Sequence, residues 1–334
     1  MSTPPSRNGS RPTIVTLTMN PALDITTSVD RVRPTDKLRC QGARHDAGGG
    51  GINVARVARV LGTPAVAVFP AGGPTGDVVA DLLVAEGVPF HRVRIDGRTR
   101  ESFTVNEESS GQQYRFVLPG PRLTFAERAR CVDELRALAD SAQFVVVSGS
   151  LPPGVPVDFY RQVANACNDL GARLIMDTSG TGLEHVPSGV FLLKPSVREL
   201  RECVGRELAT ESDETAAAQE LVQRGRAQVV VVSLGDRGAL LVTPSGAQRI
   251  PAIKMRSGSG VGAGDAMVAA ITVGLSRGWP LSKSVRFGVA AGAAMLMTPG
   301  TAVCRRGDVE RLFALAAESA DLTAVGSADA EGTS

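Results

Sequence analysis

Short, nearly all-apolar runs alternate with amphipathic stretches along most of this chain. The apolar runs are Ala65–Pro70, Phe144–Val147, Arg173–Met176, Phe191–Leu193 and Val229–Ser233. Such runs suit parallel strands buried on both faces. Thr13–Thr18 mixes β-branched and apolar residues and predicts a first strand. Apolar positions at helical spacing predict helices over Ile52–Leu61, Asp77–Glu86, Ala126–Asp140, Val157–Leu170, Glu214–Arg224, Gly264–Arg277 and Leu281–Met297. The alternation predicts a doubly wound α/β domain with right-handed crossovers and ligands at the carboxyl ends of its strands.

Two groups of runs are more polar and read as half-exposed strands. One is Ile25–Val32 and Leu38–His45, with Pro34-Thr35-Asp36-Lys37 between them. The other is Phe90–Ile95, Ser102–Asn106 and Gln113–Leu118. Together they predict one small sheet standing off the body, inserted at about 24–46 and 90–118 within a single domain over 13–313. The ends, 1–11 and 320–334, are polar or small and predict disorder.

Composition narrows the class. With 334 residues, 43% hydrophobic and 21% charged, the chain is ordinary for a globular protein. A net charge of +2 argues against a nucleic-acid partner. No apolar run approaches the roughly 20 residues needed to span a bilayer, and the N-terminus lacks a signal-peptide core. The 5 cysteines are scattered, odd in number and without C-x-x-C spacing, which predicts reduced thiols in a cytoplasm. None of the 3 histidines is spaced as a metal pair.

Candidate chemistry gathers at two glycine runs. Ser257 to Met267 contains Gly260, Gly262 and Gly264 and leads from a strand-like run, Arg249–Lys254, into helical pattern. Backbone N–H groups at a helix start have no intrahelical partner, and the helix dipole adds positive charge there. That suits a phosphate, and Asp265 sets a carboxylate beside it. The same residues also fit a capped glycine turn. Neither a P-loop pattern nor a G-x-G-x-x-G fingerprint occurs. Gly48-Gly49-Gly50-Gly51 runs directly into an apolar helix that begins Ile52-Asn53-Val54-Ala55-Arg56, which favours close approach to a ligand over a linker. Asp24 follows the first strand and reads equally well as a turn residue. Lys37 and Arg100 are cations that fit either a solvated surface or a phosphate. Ser148 and Lys194 each follow a buried strand.

Val261-Gly262-Ala263-Gly264-Asp265 resembles the second signature of the pfkB-type sugar kinases, within the ribokinase-like superfamily. Gly48 to Arg56 resembles the first signature, and the resemblance covers about Thr13 to Phe313 in the right order. It implies a ribokinase-like, mostly parallel sheet with a small β-sheet lid, paired between subunits in a homodimer. It implies that Asp265 is the catalytic base, with the Gly262, Ala263 and Gly264 amides stabilising developing charge. Asp24, Gly49, Gly50, Asn53 and Ser148 would meet the sugar, and Lys37 and Arg100 its phosphate. Lys194, Ser196, Ser233, Gly235 and Gly238 would meet ATP, with Val289 and Ala293 beside the adenine. Glu199 would organise magnesium through water. Backbone carbonyls of Ser259, Val261, Met295, Thr298, Gly300 and Ala302 would hold potassium.

The chain departs from the family pattern in three places. Ser196 stands where Asn is usual, Ser259 and Gly260 precede the second signature where Asp-Thr is usual, and Gly50 replaces a Lys common in some relatives. The glycine form of the first signature points to the phosphofructokinase-like branch. The implied activity is ATP-dependent phosphorylation of the 1-hydroxyl of fructose 6-phosphate. Tagatose 6-phosphate or fructose 1-phosphate as substrate, or a catalytically inactive sensor, are the alternatives.

Overall fold

The apolar runs form the centre of the molecule. In the computed structural model, which describes residues 12–255, 260–298 and 302–316, the chain begins with β1 (Ile14–Leu17), β2 (Ala22–Val29), β3 (Arg44–Gly48) and α1 (Gly50–Val60). It continues through β4 (Ala65–Ala71), α2 (Gly73–Ala85), β5 (Phe90–Arg94), β6 (Arg100–Glu107), β7 (Gln113–Val117) and α3 (Phe125–Ala139). Next come β8 (Phe144–Ser148), α4 (Phe159–Leu170), β9 (Arg173–Asp177), α5 (Thr181–Glu184), β10 (Val190–Leu193), α6 (Val197–Val204) and α7 (Glu211–Gln223). The series closes with β11 (Ala227–Ser233), β12 (Ala239–Thr243), β13 (Gly246–Ile250), α8 (Ala263–Ser276) and α9 (Leu281–Met295). Residues 306–316 are helical.

The main sheet has 9 strands in the order β13-β12-β11-β10-β9-β8-β1-β4-β5. All pairs are parallel except β11–β12 and β12–β13. One face carries α1, α2, α8 and α9, and the other carries α3, α4, α6 and α7. Alternation within β1 shows the two-sided burial: Ile14 packs on the first face, Val15 and Leu17 on the second. Fully burying a side chain of this size contributes about 1.5–3 kcal/mol.

Strand order reverses at β1. From there the chain builds β4 and β5 to one side, then returns to build β8 to β13 on the other. The crevice at the carboxyl ends of β1 and β8 is therefore the topological switch point, where ligands bind in open α/β sheets.

The second sheet has 4 strands in the order β3-β2-β6-β7. The chain enters it after β1 and again after β5, so it rises from the same end of the body as the switch point. β2 and β6 run parallel in its middle, and both edges are antiparallel. Phe116 and Val117 on β7 are more than half exposed.

Several sequence expectations shift. The 90–95 run belongs to the main sheet, as edge strand β5 parallel to β4, and not to the lid. An edge strand has one uncovered side, which explains its polar Phe-His-Arg-Val-Arg pattern. The expected strand over Leu38–His45 is displaced to Arg44–Gly48, and residues 38–43 have no regular structure. Asp24 lies within β2, not in a turn. The run expected over Arg249–Lys254 ends at Ile250 as β13, which forms a hairpin with β12 that the sequence reading missed.

Candidate active site

Three segments converge on the switch point. α1 begins at Gly50, where an added Cβ would overlap the Ser148 hydroxyl at the end of β8. The helix start can approach β8 that closely only without a side chain. At Gly48 the crowding partner of an added Cβ is the Asp24 carboxylate, across the β2–β3 pair. The third segment is the N-terminus of α8, with Gly262 in the left-handed conformation (φ 75°) as its N-cap.

Asp265 lies in the first turn of α8 and is clamped by two donors. Asn53 Nδ2 donates to Oδ2 at 3.0 Å, and Ser148 Oγ donates to Oδ1 at 3.1 Å. Burial raises the pKa of Asp265, while Asn53, Ser148 and Lys194 oppose the rise. The result is a desolvated carboxylate held by donors, the environment of a proton acceptor. Around it, the Ala263 N–H donates to the Gly260 carbonyl (3.2 Å) and the Ala266 N–H closes the first helical turn on Gly262 (2.9 Å). Gly262, Ala263 and Gly264 all lie at this helix entry.

Facing that entry is a buried ion pair. Lys194 Nζ lies 3.1 Å from Asp177 Oδ1. At Gly264 an added Cβ would sit 3.7 Å from that ammonium and 3.9 Å from Asp177 Oδ2, so α8 points at the pair. Burial works against the Lys194 charge, but Asp177, Glu199 and Asp265 outweigh it and raise its pKa. Burial pushes Asp177 up to about 6 against the pull of Lys194, with Asp265 and Glu199 adding to the rise. Asp177 was missed in the sequence. The available signal was a carboxylate closing an otherwise apolar strand at the ligand-binding end of the sheet.

Beside this pair, Ser196 N-caps α6 in a reciprocal box. Its hydroxyl accepts from the Glu199 N–H (3.3 Å), and Glu199 Oε2 accepts from the Ser196 N–H and hydroxyl, both at 2.8 Å. The Ser at this position thus fixes Glu199 next to the end of β10. The Ser233 N–H donates to the Pro195 carbonyl at 2.9 Å, joining the end of β11 to the same corner. Gly235 opens the 3-10 turn that ends before Gly238. Val289 and Ala293 lie one turn apart on the buried side of α9, which packs along α8.

The loop after α9 gathers carbonyls. Thr298 Oγ donates to the Met295 carbonyl at 2.8 Å and has the Ala302 carbonyl as a second acceptor within reach at 3.3 Å. Val261 and Met295 line one small cleft together with Asn53 and Gly262. Ser259 and Gly300 lie outside the described residues.

On the lid, Arg100 opens β6 and donates to the Asn20 carbonyl (3.1 and 3.3 Å) and the Leu118 carbonyl (3.2 Å). Burial lowers its pKa and Asp24 raises it. Asp24 is pushed up to about 6 by burial, against Arg100 and Arg115. Lys37 is exposed in the stretch between β2 and β3. The structure therefore assembles Asp24, Gly49, Gly50, Asn53, Arg100, Ser148, Lys194 and Asp265 around one crevice.

Comparison with known proteins places the chain in a family. Residues 17–306 match the model of the pfkB family carbohydrate kinases. The chain is 64% identical over 322 residues to ATP-dependent 6-phosphofructokinase isozyme 2 of Mycobacterium tuberculosis, covering 96% of this chain and 95% of that one. Among solved structures, phosphofructokinase-2 from Escherichia coli in complex with fructose-6-phosphate superposes with a TM-score of 0.86 at 40% identity, over 91% of this chain and 99% of the other. The same protein solved with potassium gives 0.87, and its tetrameric inhibited form 0.85, each at 41% identity over 91% of this chain and 99% of the other.

Proposed function

Starting from this chain's membership of the pfkB family of carbohydrate kinases, we propose that it transfers the γ-phosphoryl group of ATP to the 1-hydroxyl of fructose 6-phosphate. The observation that carries the chemistry is Asp265, held by Asn53 and Ser148 at a helix entry that faces the Lys194–Asp177 pair.

In the transfer, the sugar 1-oxygen forms a bond to the γ-phosphorus while the bond to the bridging oxygen breaks. ADP leaves with that electron pair, and the hydroxyl proton passes to Asp265. Each Asp265 oxygen accepts one bond from the protein and retains acceptor capacity for that proton. Lys194 neutralises phosphate charge, and the amides at the start of α8 meet the transferring group. Positioning and electrostatics dominate such reactions. The lid covers the sugar, with Arg100 toward its phosphate, and excludes water.

Magnesium would enter with the nucleotide. Among the described residues no cluster of three or more His, Cys, Asp or Glu could hold a metal ion by itself. Asp177 and Glu199 supply carboxylates at the phosphate end, which suits contact through water to a metal that neutralises the triphosphate. Potassium fits the Met295 and Ala302 carbonyls, which already converge on one hydroxyl. A homodimer through the lid would cover the exposed apolar edge at Phe116 and Val117. Light scattering of the purified protein tests the dimer, with higher assembly, as in the relative's tetrameric inhibited form, as a further outcome. No helix among the described residues is long and apolar enough to cross a membrane, in keeping with a cytoplasmic enzyme.

Phosphorus NMR of the purified protein with magnesium, ATP and fructose 6-phosphate tests the reading. Formation of ADP and fructose 1,6-bisphosphate is expected. Faster turnover with tagatose 6-phosphate or fructose 1-phosphate would reassign the substrate, and no turnover with any of them would overturn the kinase reading.

A further inference from the structure

Arg56 is a buried arginine, 3% exposed, one turn along α1 from Asn53. Residues at this spacing share a helix face. Its guanidinium Nη1 donates to Asn53 Oδ1 at 3.4 Å and to the Ala47 carbonyl of β3 at 3.3 Å. Glu86, at the end of α2, grips the other side of the fork, accepting from Nε at 2.6 Å and Nη2 at 2.5 Å. Asp46 on β3 lies 3.7 Å away and is itself paired with Arg44.

This arrangement decides which way the Asn53 amide faces. An arginine donates and never accepts, so only the carbonyl oxygen of Asn53 can meet it. The NH2 group is then turned to the other side, where it donates to Asp265 Oδ2 at 3.0 Å. A flipped amide would set its oxygen against the carboxylate and its NH2 against the guanidinium, losing both bonds and adding two repulsions. Glu86, Arg56, Asn53 and Asp265 thus form one chain of directed bonds from the protein surface to the base.

We propose that Arg56 is a positioning residue for phosphoryl transfer, which latches the Asn53 amide toward Asp265 and ties that orientation to lid strand β3 through the Ala47 carbonyl. The proposal rests on the reading of Asp265 as the proton acceptor. It assigns Arg56 no contact with either substrate, so its loss should be felt in kcat far more than in the KM for ATP.

A double-mutant cycle on kcat tests it, using Arg56→Met, Asn53→Ala and the double variant, with Asp265→Asn as reference and thermal unfolding of each. Arg56→Met should lower kcat about tenfold, within the range of couplings between contacting residues, and leave the KM for ATP within about twofold. In the Asn53→Ala background the same change should alter kcat by no more than about twofold, because the group it acts through is gone. Any fall in melting temperature should be similar in both backgrounds. If Arg56→Met does not fold, Arg56→Lys takes its place in the cycle, since it keeps the charge but not the fork. Losses in kcat that multiply across the two sites, or a folded Arg56 variant with normal kcat, would overturn the latch. If those losses multiply while Asp265→Asn is inactive, only the latch fails. If Asp265→Asn turns over normally, the base assignment fails and the latch with it.

Discussion

The Lys194–Asp177 pair and the Asp24–Arg100 pair are both cation–carboxylate arrangements at one crevice, but they are built differently. Lys194 and Asp177 end adjacent parallel strands in the middle of the nine-stranded sheet, 3.1 Å apart and covered by helices on both faces. Asp24 and Arg100 belong to a four-stranded sheet whose outer strand leaves Phe116 and Val117 in solvent, and Arg100 spends its donors on the carbonyls of Asn20 and Leu118. On the proposed reading, the body fixes charges where phosphate must be stabilised in the transition state, and the lid holds charges that a bound sugar phosphate can recruit. Damage to the body should therefore appear in kcat and stability, and damage to the lid in sugar affinity.

The largest effect is expected at Lys194. Lys194→Met leaves Asp177 buried without its cation, which costs about 3–5 kcal/mol when one member of a buried pair is removed. Turnover should also fall about 10²–10³-fold, the scale of a lost transition-state donor. Urea unfolding and steady-state kinetics read the two losses separately. A folded variant with normal kcat would remove Lys194 from the transition state.

Arg100→Ala should raise the KM for the sugar phosphate by about 10–100-fold, a charge-assisted hydrogen bond of roughly 1.5–3 kcal/mol, and leave the KM for ATP nearly unchanged. Equal loss for both substrates would erase the contrast between lid and body. The same titration with Lys37→Ala is informative because that residue is exposed in the stretch between two lid strands.

Asp24 and Asp177 give the contrast a pH dependence. Burial lifts both to about 6, above the ordinary aspartate value of 3.8. The folded protein then binds more protons than the unfolded chain between those values. Their contribution to stability is full below about pH 4 and is lost as pH rises to about 6. Asp24→Asn should therefore raise the stability of the ligand-free protein at pH 8 by about 1–3 kcal/mol. Unfolding curves at pH 5 and pH 8 check the sign, and a destabilised variant at pH 8 would contradict it.

The smallest effect concerns the carbonyls of Met295 and Ala302. Replacing sodium by potassium at constant ionic strength should raise kcat, with little change in the KM for sugar, because the carbonyls of Met295 and Ala302 belong to the body. Identical rates in the two salts would argue against a cation there.

Much of the body was legible in the sequence, because burial on both faces leaves a run such as Leu192-Leu193 or Val229–Val232 with no polar residue at all. The two glycine runs were legible for a related reason: at Gly50 no side chain fits against Ser148. The lid was less so. β5 carries alternating polar residues because it is an edge, and that pattern is shared by lid strands. The strand at Arg44–Gly48 ends in the glycine run, so its apolar content is small. Asp177 acquires meaning only through Lys194, 17 positions later and one strand across, in a register that sequence spacing does not contain. Arg56 lies inside a recognised motif, yet its role depends on Glu86 from a different helix.

The division of labour between body and lid is tested most directly at Asp265. Asp265→Asn keeps the shape of the side chain and cannot take the proton. Turnover should fall by about 10²–10⁴-fold, the usual worth of a general base. ATP affinity, measured by calorimetry on the same folded sample, should hold or improve because a negative charge near phosphate has gone. Near-normal turnover in that folded variant would contradict the assignment and move the search for the proton acceptor to Asp24, on the lid.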